Sequence, residues 1–418
     1  MSTEIKSVSA REILDSRANP TVEATVTLVD GSVGVASVPS GASTGIHEAT
    51  ELRDEKNPRY CGRGVLGAVH NVMREIAPAI IGKEAENQAA VDHAMIALDG
   101  TSTKSRLGAN ATLAVSLATA RAAAAHFNEE LYRYLGGAEA RKMPVPMLNI
   151  MNGGAHAANN IEIQEFMILP IGAGALTEGI RCSVEIYRSL YKLLNRLGYA
   201  TTVGDEGGFA PNLKSDEEAL ELICQAIKNA GYDTSDVKLA LDVASSEWFE
   251  GGVYKMKKSG KVMSADELIK YYGNLAEKYP IVSIEDGVGE DDFIGWGKLT
   301  RAHGDKMMLV GDDLFVTNTA RLEHGIHEGI ANAILIKPNQ IGTLTETMNV
   351  IHKARASGYK HIISHRSGET SDSFIADLAV ATSAPFIKAG APARGERVEK
   401  YNRLMKIEAE LGVGSLYK

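Results

Sequence analysis

The feature that most constrains this chain is a series of short apolar runs, each closed by a charged or hydrogen-bonding residue. They read "KLALDV" (238–243), "PIVSIED" (280–286), "MMLVGDD" (307–313), "NAILIK" (332–337), "HIISHR" (361–366) and "PFIKAG" (385–390). Amphipathic stretches such as "ADELIKYYGNLAEKY" and "LTETMNVIHKARASG" separate them. Strand followed by helix, repeated, makes βα units, and runs that are apolar throughout belong to a parallel sheet covered on both faces. Two earlier candidates, "VPMLNIMN" and "QEFMILP", bring the series towards eight. The pattern predicts an eight-stranded βα barrel rather than an open doubly wound sheet.

The first part of the chain reads differently. "TVEATVTLV" and "SVGVASVP" alternate apolar and polar residues, the mark of half-buried antiparallel strands, with "DGS" as the turn between them. Helical patterns follow in "GVLGAVHNVMREIAPAII" and "QAAVDHAMIALDG", and the alanine-rich "LAVSLATARAAAAHF" reads as a buried helix. The fold class expected is therefore α/β: an N-terminal α+β domain over 1–138, then the barrel over 139–418.

In a barrel of this kind the C-terminal strand ends converge on one mouth, where active sites lie. The runs above end in Asp242, Glu285, Asp312, Lys337, His365 and Lys388. Their spacing of roughly 25 to 45 residues is one βα unit each, so these six become neighbours around a ring. Asp242, Glu285 and Asp312 are three hard oxygen donors, a set suited to Mg²⁺. A salt-bridge network with Lys337 and Lys388 is the competing explanation. A lysine beside a divalent cation and a second lysine has its ammonium form disfavoured, so the pKa of Lys337 is expected to fall into the range of a useful base.

Other segments add groups of the same kind. "SHRSGET" sets Arg366 and Ser367 just past a strand end, where they suit an oxyanion such as phosphate, or an ordinary salt-bridged loop. "NGGAHAANNIEIQEF" brings His156, Gln164 and Glu165, and "VGDEGGFAP" holds Glu206 beside glycines that let backbone approach a ligand. "VPSGASTGIHE" lacks the lysine of a nucleotide-binding P-loop and reads as a lid or as the source of a metal-bound hydroxyl. A net charge of −9 offers no electrostatic footprint for nucleic acid. No run approaches the roughly 20 apolar residues of a membrane span. The three cysteines, Cys61, Cys182 and Cys224, have no metal-ligand spacing and are expected as buried free thiols in a reducing, cytoplasmic setting.

Taken in order, "DSRANPTVE", "SGASTGIHE", "NGGAHAANNIEIQEF", "GDEGGFAPN", "SIED", "GDDLFVTN", "LIKPNQIG", "SHRSGET" and "IKAGAPAR" resemble the enolase family over essentially the whole chain. The resemblance implies reversible dehydration of 2-phosphoglycerate to phosphoenolpyruvate with two Mg²⁺ per subunit. It implies Lys337 as the base for the C2 proton, as enolase-superfamily sites are known to use a lysine or histidine base with Mg²⁺. Glu206 matches the acid at the C3 hydroxyl, assisted by Glu165, with His156 counted in the same catalytic set. Gln164, His365 and Lys388 match residues lining the substrate, and Arg366 and Ser367 match phosphate contacts. Asp242, Glu285 and Asp312 match ligands of the tighter metal, and Ser43 a ligand of the second. The family barrel departs from regular βα order at its start. Family members form dimers, some bacterial ones octamers, and some are recruited to RNA-decay assemblies or cell surfaces.

Some positions depart from the family pattern. Ala18 stands where glycine is usual, and Pro385, Phe386 and Ala389 flank Lys388 with different chemistry. Lys406 replaces an arginine associated with a dimer salt bridge to Glu23. Two other readings stand beside this one: a related lyase or racemase acting on a non-phosphorylated acid, and a binding protein that keeps the fold.

Overall fold

The computed structural model describes residues 2–41 and 45–417, so Ser43 lies outside the described residues. Three strands, β1 (Ile5–Leu14), β2 (Pro20–Leu28) and β3 (Val33–Ser37), pair antiparallel in that order. The period-two pattern decides the faces of the sheet: Val22, Ala24, Val26 and Leu28 are buried and the residues between them half-buried. Helix α1 (Gln88–Asp99) starts at Asn87, whose side chain accepts from Ala90 N, and stops at Gly100 in the left-handed region. Helix α2 (Ala109–His126) is the alanine-rich stretch and packs on β2 and β3. A Cβ at position 34 would stand 2.0 Å from the Ala118 carbonyl oxygen, so β3 and α2 touch backbone to backbone only because Gly34 has no side chain.

The barrel begins with β4 (Val145–Asn152) and β5 (Glu165–Leu169), followed by two helices, α3 (Leu176–Leu197) and α4 (Asp216–Asn229). Strand and helix then alternate: β6 (Lys238–Asp242), α5 (Ala265–Lys278), β7 (Ile281–Glu285), α6 (Phe293–His303), β8 (Met308–Gly311) and α7 (Thr319–Glu328). The round closes with β9 (Ala333–Ile336), α8 (Leu344–Ala356), β10 (Lys360–Ser364), α9 (Phe374–Ala381), β11 (Phe386–Lys388) and α10 (Gly395–Leu411). The helices start where their sequences say. Ser264 and Glu267 form a capping box at α5, and Thr343 caps α8 by accepting from Glu346 N.

The eight strands form a closed barrel in which β11 pairs with β4. Seven run one way. β5 is antiparallel to both neighbours, and this is the departure from regular βα order that the resemblance implied. The reversal has a consequence for the site. Because β5 runs backwards, its first residue, Glu165, lies level with Asn152 and Asp242, at the same mouth as the C-terminal ends of the other strands. Inside the barrel Val145, Met147, Met167, Ala240, Val310 and Leu335 pack into an apolar plug below that mouth.

The N-terminal part is fastened over the barrel by polar contacts. Arg121 of α2 grips Asp372 with Nη1–Oδ2 2.6 Å and Nη2–Oδ1 2.7 Å. Lys104 Nζ lies 2.9 Å from Glu346 Oε1, and Asp92 Oδ2 accepts from both Thr345 N (2.9 Å) and Thr345 Oγ1 (2.7 Å). The last two pairs hold the start of α8, just after the loop that carries Lys337.

Of the cysteines expected to be buried, Cys182 is, Cys224 is half-buried, and Cys61 is exposed in the turn at Arg59–Gly62. Among the described residues no helix is long and apolar enough to cross a membrane.

Candidate active site

The barrel mouth holds a small polar recess. Of the thirteen residues expected at the site, eleven line it: His156, Gln164, Glu165, Glu206, Asp242, Asp312, Lys337, His365, Arg366, Ser367 and Lys388. Glu285 reaches the same network through Lys388. Ser43 cannot be placed, since it lies outside the described residues.

On one side Lys388, the last residue of β11, is buried with its ammonium among acids. Its Nζ stands 2.9 Å from Asp242 Oδ2, 2.8 Å from Glu285 Oε1 and 3.4 Å from Glu165 Oε1. Burial alone would lower the pKa of Lys388, but Asp242, Glu165 and Glu285 outweigh it and hold the ammonium well above its ordinary range. Of the changed neighbours of Lys388, Phe386 packs towards the apolar plug and Ala389 is buried.

Lys337 follows β9 and forms an ion pair with Asp312 Oδ2. The lowering expected for Lys337 belongs to a lysine beside a divalent cation; with Asp312 as its partner the balance is different. Burial lowers the pKa of Lys337, yet the touching Asp312 carboxylate more than offsets this, and the net shift is upward. Burial likewise acts to raise Asp312, and Lys337 overrides it to leave Asp312 lowered. The salt-bridge network weighed as an alternative is thus present. It draws on the same oxygens that would hold a metal, so an ammonium and a cation would share or exchange them.

The opposite wall carries the glutamates. Burial pushes Glu165 well above the usual carboxylate range, and neighbouring Glu206 adds to it. Glu206 is itself deeply buried, but His365 and His156 turn its shift downward. Nearby, Asn149 Nδ2 donates to Glu206 Oε2 at 3.1 Å, and His156 Nδ1 lies 3.5 Å from Glu165 Oε1 and 3.8 Å from Glu206 Oε1. The Glu206 loop fits because Gly208 is bare: a Cβ there would come 2.5 Å from Asn152 Oδ1 and 2.9 Å from Met151 N.

The donor set fits a hard divalent cation. Three carboxylates, Asp242, Glu285 and Asp312, face two lysines there, and burial with Asp242 raises Glu285 well above its ordinary value despite Lys388. The expected trio Asp242, Glu285 and Asp312 is spread around the lysines. Among the described residues Asp286, Asp312 and Asp313 form a further all-oxygen group, with donor atoms within 4.8 Å of one another. Asp286 is already engaged there, accepting from the backbone N–H of Asp312 (3.0 Å) and of Asp313 (2.9 Å). Burial and Asp312 push Asp313 up to about 8.

The sequence reading missed three contributors. Glu48, within "SGASTGIHE", contacts Arg366. Gln340 Nε2 donates to Asp312 Oδ1 at 2.9 Å, and Gln340 Oε1 accepts from Thr317 Oγ1 at 2.8 Å. Arg397 is wholly buried behind His365. Glu48 and Gln340 lay inside stretches that could be quoted as motifs, while nothing local marks Arg397.

Within the chain, Glu23 accepts from Arg11 Nε (2.6 Å) and Ser37 Oγ (2.9 Å), while Lys406 Nζ lies 3.5 Å from Glu410. Comparison with known families matches residues 5–135 to "Enolase, N-terminal domain" and residues 140–418 to "Enolase, C-terminal TIM barrel domain". Enolase-type dehydration of 2-phosphoglycerate, a lyase reaction dependent on Mg²⁺, goes with these two domains. Matched in both parts and along nearly its full length, the chain belongs to the enolase family.

Proposed function

We propose that this chain interconverts 2-phosphoglycerate and phosphoenolpyruvate, with Lys337 removing the C2 proton and Glu206, aided by Glu165 and His156, protonating the departing C3 hydroxyl. One observation carries the reading. β5 and β9 stand four strands apart in a ring of eight, so Glu165 and its neighbour Glu206 face Lys337 across the mouth. A base and an acid on opposite sides suit an elimination: the proton leaves one carbon, its electron pair forms the double bond, and hydroxide leaves the next carbon as water.

Asp242, Glu285 and Asp312 would hold one Mg²⁺, and Ser43 with substrate oxygens would complete the shell of a second. When bound, Mg²⁺ supplies the positive charge that offsets the negative charge developing on the substrate carboxylate. Were Asp312 to serve as a ligand, Lys337 would lose its carboxylate partner, and burial would then favour the neutral amine that a base must be. Arg366 and Ser367 would take the phosphate, which favours this substrate over a non-phosphorylated acid. Gln164, His365 and Lys388 would orient the rest of the molecule.

The chain is proposed to act as a cytoplasmic homo-oligomer, a dimer or an octamer. The exposed Val33 and Val35 on the outer face of the N-terminal sheet support self-association. The unmatched residues 136–139 support a division between the two domains at 138/139. The direct test follows the ultraviolet absorbance of the enol product from 2-phosphoglycerate with Mg²⁺. Steady product formation is expected. Turnover of a non-phosphorylated hydroxy acid in its place would overturn the assignment.

A further inference from the structure

Arg397 sits in the first turn of α10 and is wholly buried. Its guanidinium clasps two segments of the site. Nη1 donates to the Arg366 carbonyl at 2.5 Å and Nη2 to the Ser367 carbonyl at 2.6 Å. Nη2 also reaches the Asp205 carbonyl at 3.2 Å, one residue before Glu206. A fourth contact sets Nη1 2.6 Å from His365 Nδ1.

That contact has only one consistent reading. A guanidinium carries donors and no acceptor, and it keeps its charge. His365 Nδ1 must then present its lone pair, which leaves the single proton of a neutral imidazole on Nε2. Nε2 lies 3.3 Å from Glu206 Oε2. We infer that Arg397 is a positioning residue that locks His365 as the neutral Nε2–H tautomer, and so commits Glu206 Oε2 as an acceptor. Asn149 Nδ2 donates to that same oxygen. Oε1 is left as the oxygen of Glu206 that exchanges a proton at the substrate, with His156 Nδ1 3.8 Å away.

The charged groups facing His365 agree with this. Glu206 and Glu369 favour an imidazolium and Arg397 opposes it; burial decides, and His365 is pushed down to about 4. Glu369 is in turn paired with Lys400 at 2.8 Å, which weakens its pull.

The inference deepens the proposed reaction but is tested without it, on substrate-free protein. Nitrogen-15 spectra of histidine-labelled full-length chain, with His365 assigned by its loss in His365→Asn, should show Nδ1 unprotonated and Nε2 protonated. The pattern should hold between about pH 5 and pH 8, a range in which an ordinary histidine titrates. A proton on Nδ1, or an imidazolium within that range, overturns the inference whatever the activity assay gives. Arg397→Gln, whose amide can also accept, should free the tautomer and add an ionisation to the pH profile of kcat. It should lower kcat by about tenfold or more with a smaller change in KM, and Arg397→Lys should restore part of the loss. Equal damage in both variants with unchanged histidine spectra would reduce Arg397 to a packing role. Should Arg397→Gln fail to fold, the wild-type spectra alone decide.

Discussion

Glu48 lies against Arg366, with Oε2 2.9 Å from Nη1 and Oε1 3.2 Å from Nη2. The residue expected to hold the substrate phosphate therefore already holds a carboxylate. Glu48 also accepts from Gly45 N (3.1 Å) and Gln340 Nε2 (3.3 Å), so it ties the loop after Ser40 to both the phosphate side and, through Gln340, Asp312. An incoming phosphate meets a like charge at this point. Glu48→Gln should lower KM for the phosphorylated substrate by up to about tenfold and make inorganic phosphate a better competitive inhibitor. A raised KM would mean instead that Glu48 organises Arg366 for its ligand.

Acid and base act on separate steps, so their variants should part company. Lys337→Ala should bind substrate yet lose exchange of the C2 proton with solvent. Glu206→Gln should keep that exchange and block loss of the hydroxyl. Deuterium incorporation read by mass spectrometry separates the two. Equal loss of exchange in both would undo the division of roles.

These roles also show how far the sequence could be read. Asp242, Glu285, Asp312, Lys337 and Lys388 were legible because each closes an apolar run, and a strand in a barrel delivers its last residue to the mouth. Glu165 opens its run, and "QEFMILP" has nothing in its pattern to reveal that β5 runs backwards; only pairing with β4 and β6 shows it. That Lys337 forms an ion pair with Asp312 was not legible for a related reason. Its proton depends on which carboxylate touches it, and that contact comes from a strand 25 residues earlier in the chain. Arg397 acts through carbonyl and ring nitrogen contacts made by tertiary approach, which no local spacing encodes.

Chelation should abolish turnover, and Mg²⁺ should restore it in two phases. The tighter belongs to Asp242, Glu285 and Asp312. The weaker should appear only with substrate, because substrate oxygens and Ser43 complete its shell. Calorimetric titration with and without substrate counts the ions. A single ion per subunit at full activity would contradict the two-site reading.

Ala18 occupies φ +58 within a turn in which Asp15 Oδ1 accepts from both Arg17 N and Asn19 N at 2.8 Å. A Cβ in the left-handed region costs about 1–2 kcal/mol, only partly offset by the greater freedom glycine has in the unfolded chain. Ala18→Gly should therefore stabilise the protein by roughly 0.5–1 kcal/mol. Thermal unfolding of the two forms is sufficient, and a lower midpoint for the glycine form would refute the strain argument.

The last prediction concerns how the N-terminal part is held on the barrel. Asp372 is buried and acts as acceptor for Arg121, for Ser37 N (2.9 Å) and for Phe374 N (2.8 Å). Burial would raise its pKa, but Arg121 and these N–H groups leave it lowered. A carboxylate whose folded pKa is depressed adds stability above its unfolded value, near 3.8, and that stability is lost as pH falls through the lower folded value. Arg121→Met removes the cation and leaves the buried carboxylate with backbone donors alone. Breaking such a pair costs about 3 kcal/mol near neutrality, discounted towards 2 because Arg121 is partly exposed. The gap between wild type and variant should shrink below about pH 4, where Asp372 of the variant takes up a proton. Unfolding midpoints measured from pH 3 to pH 7 report both the size and the pH dependence, and a gap independent of pH would show that Arg121 acts by packing on Phe374 rather than by charge.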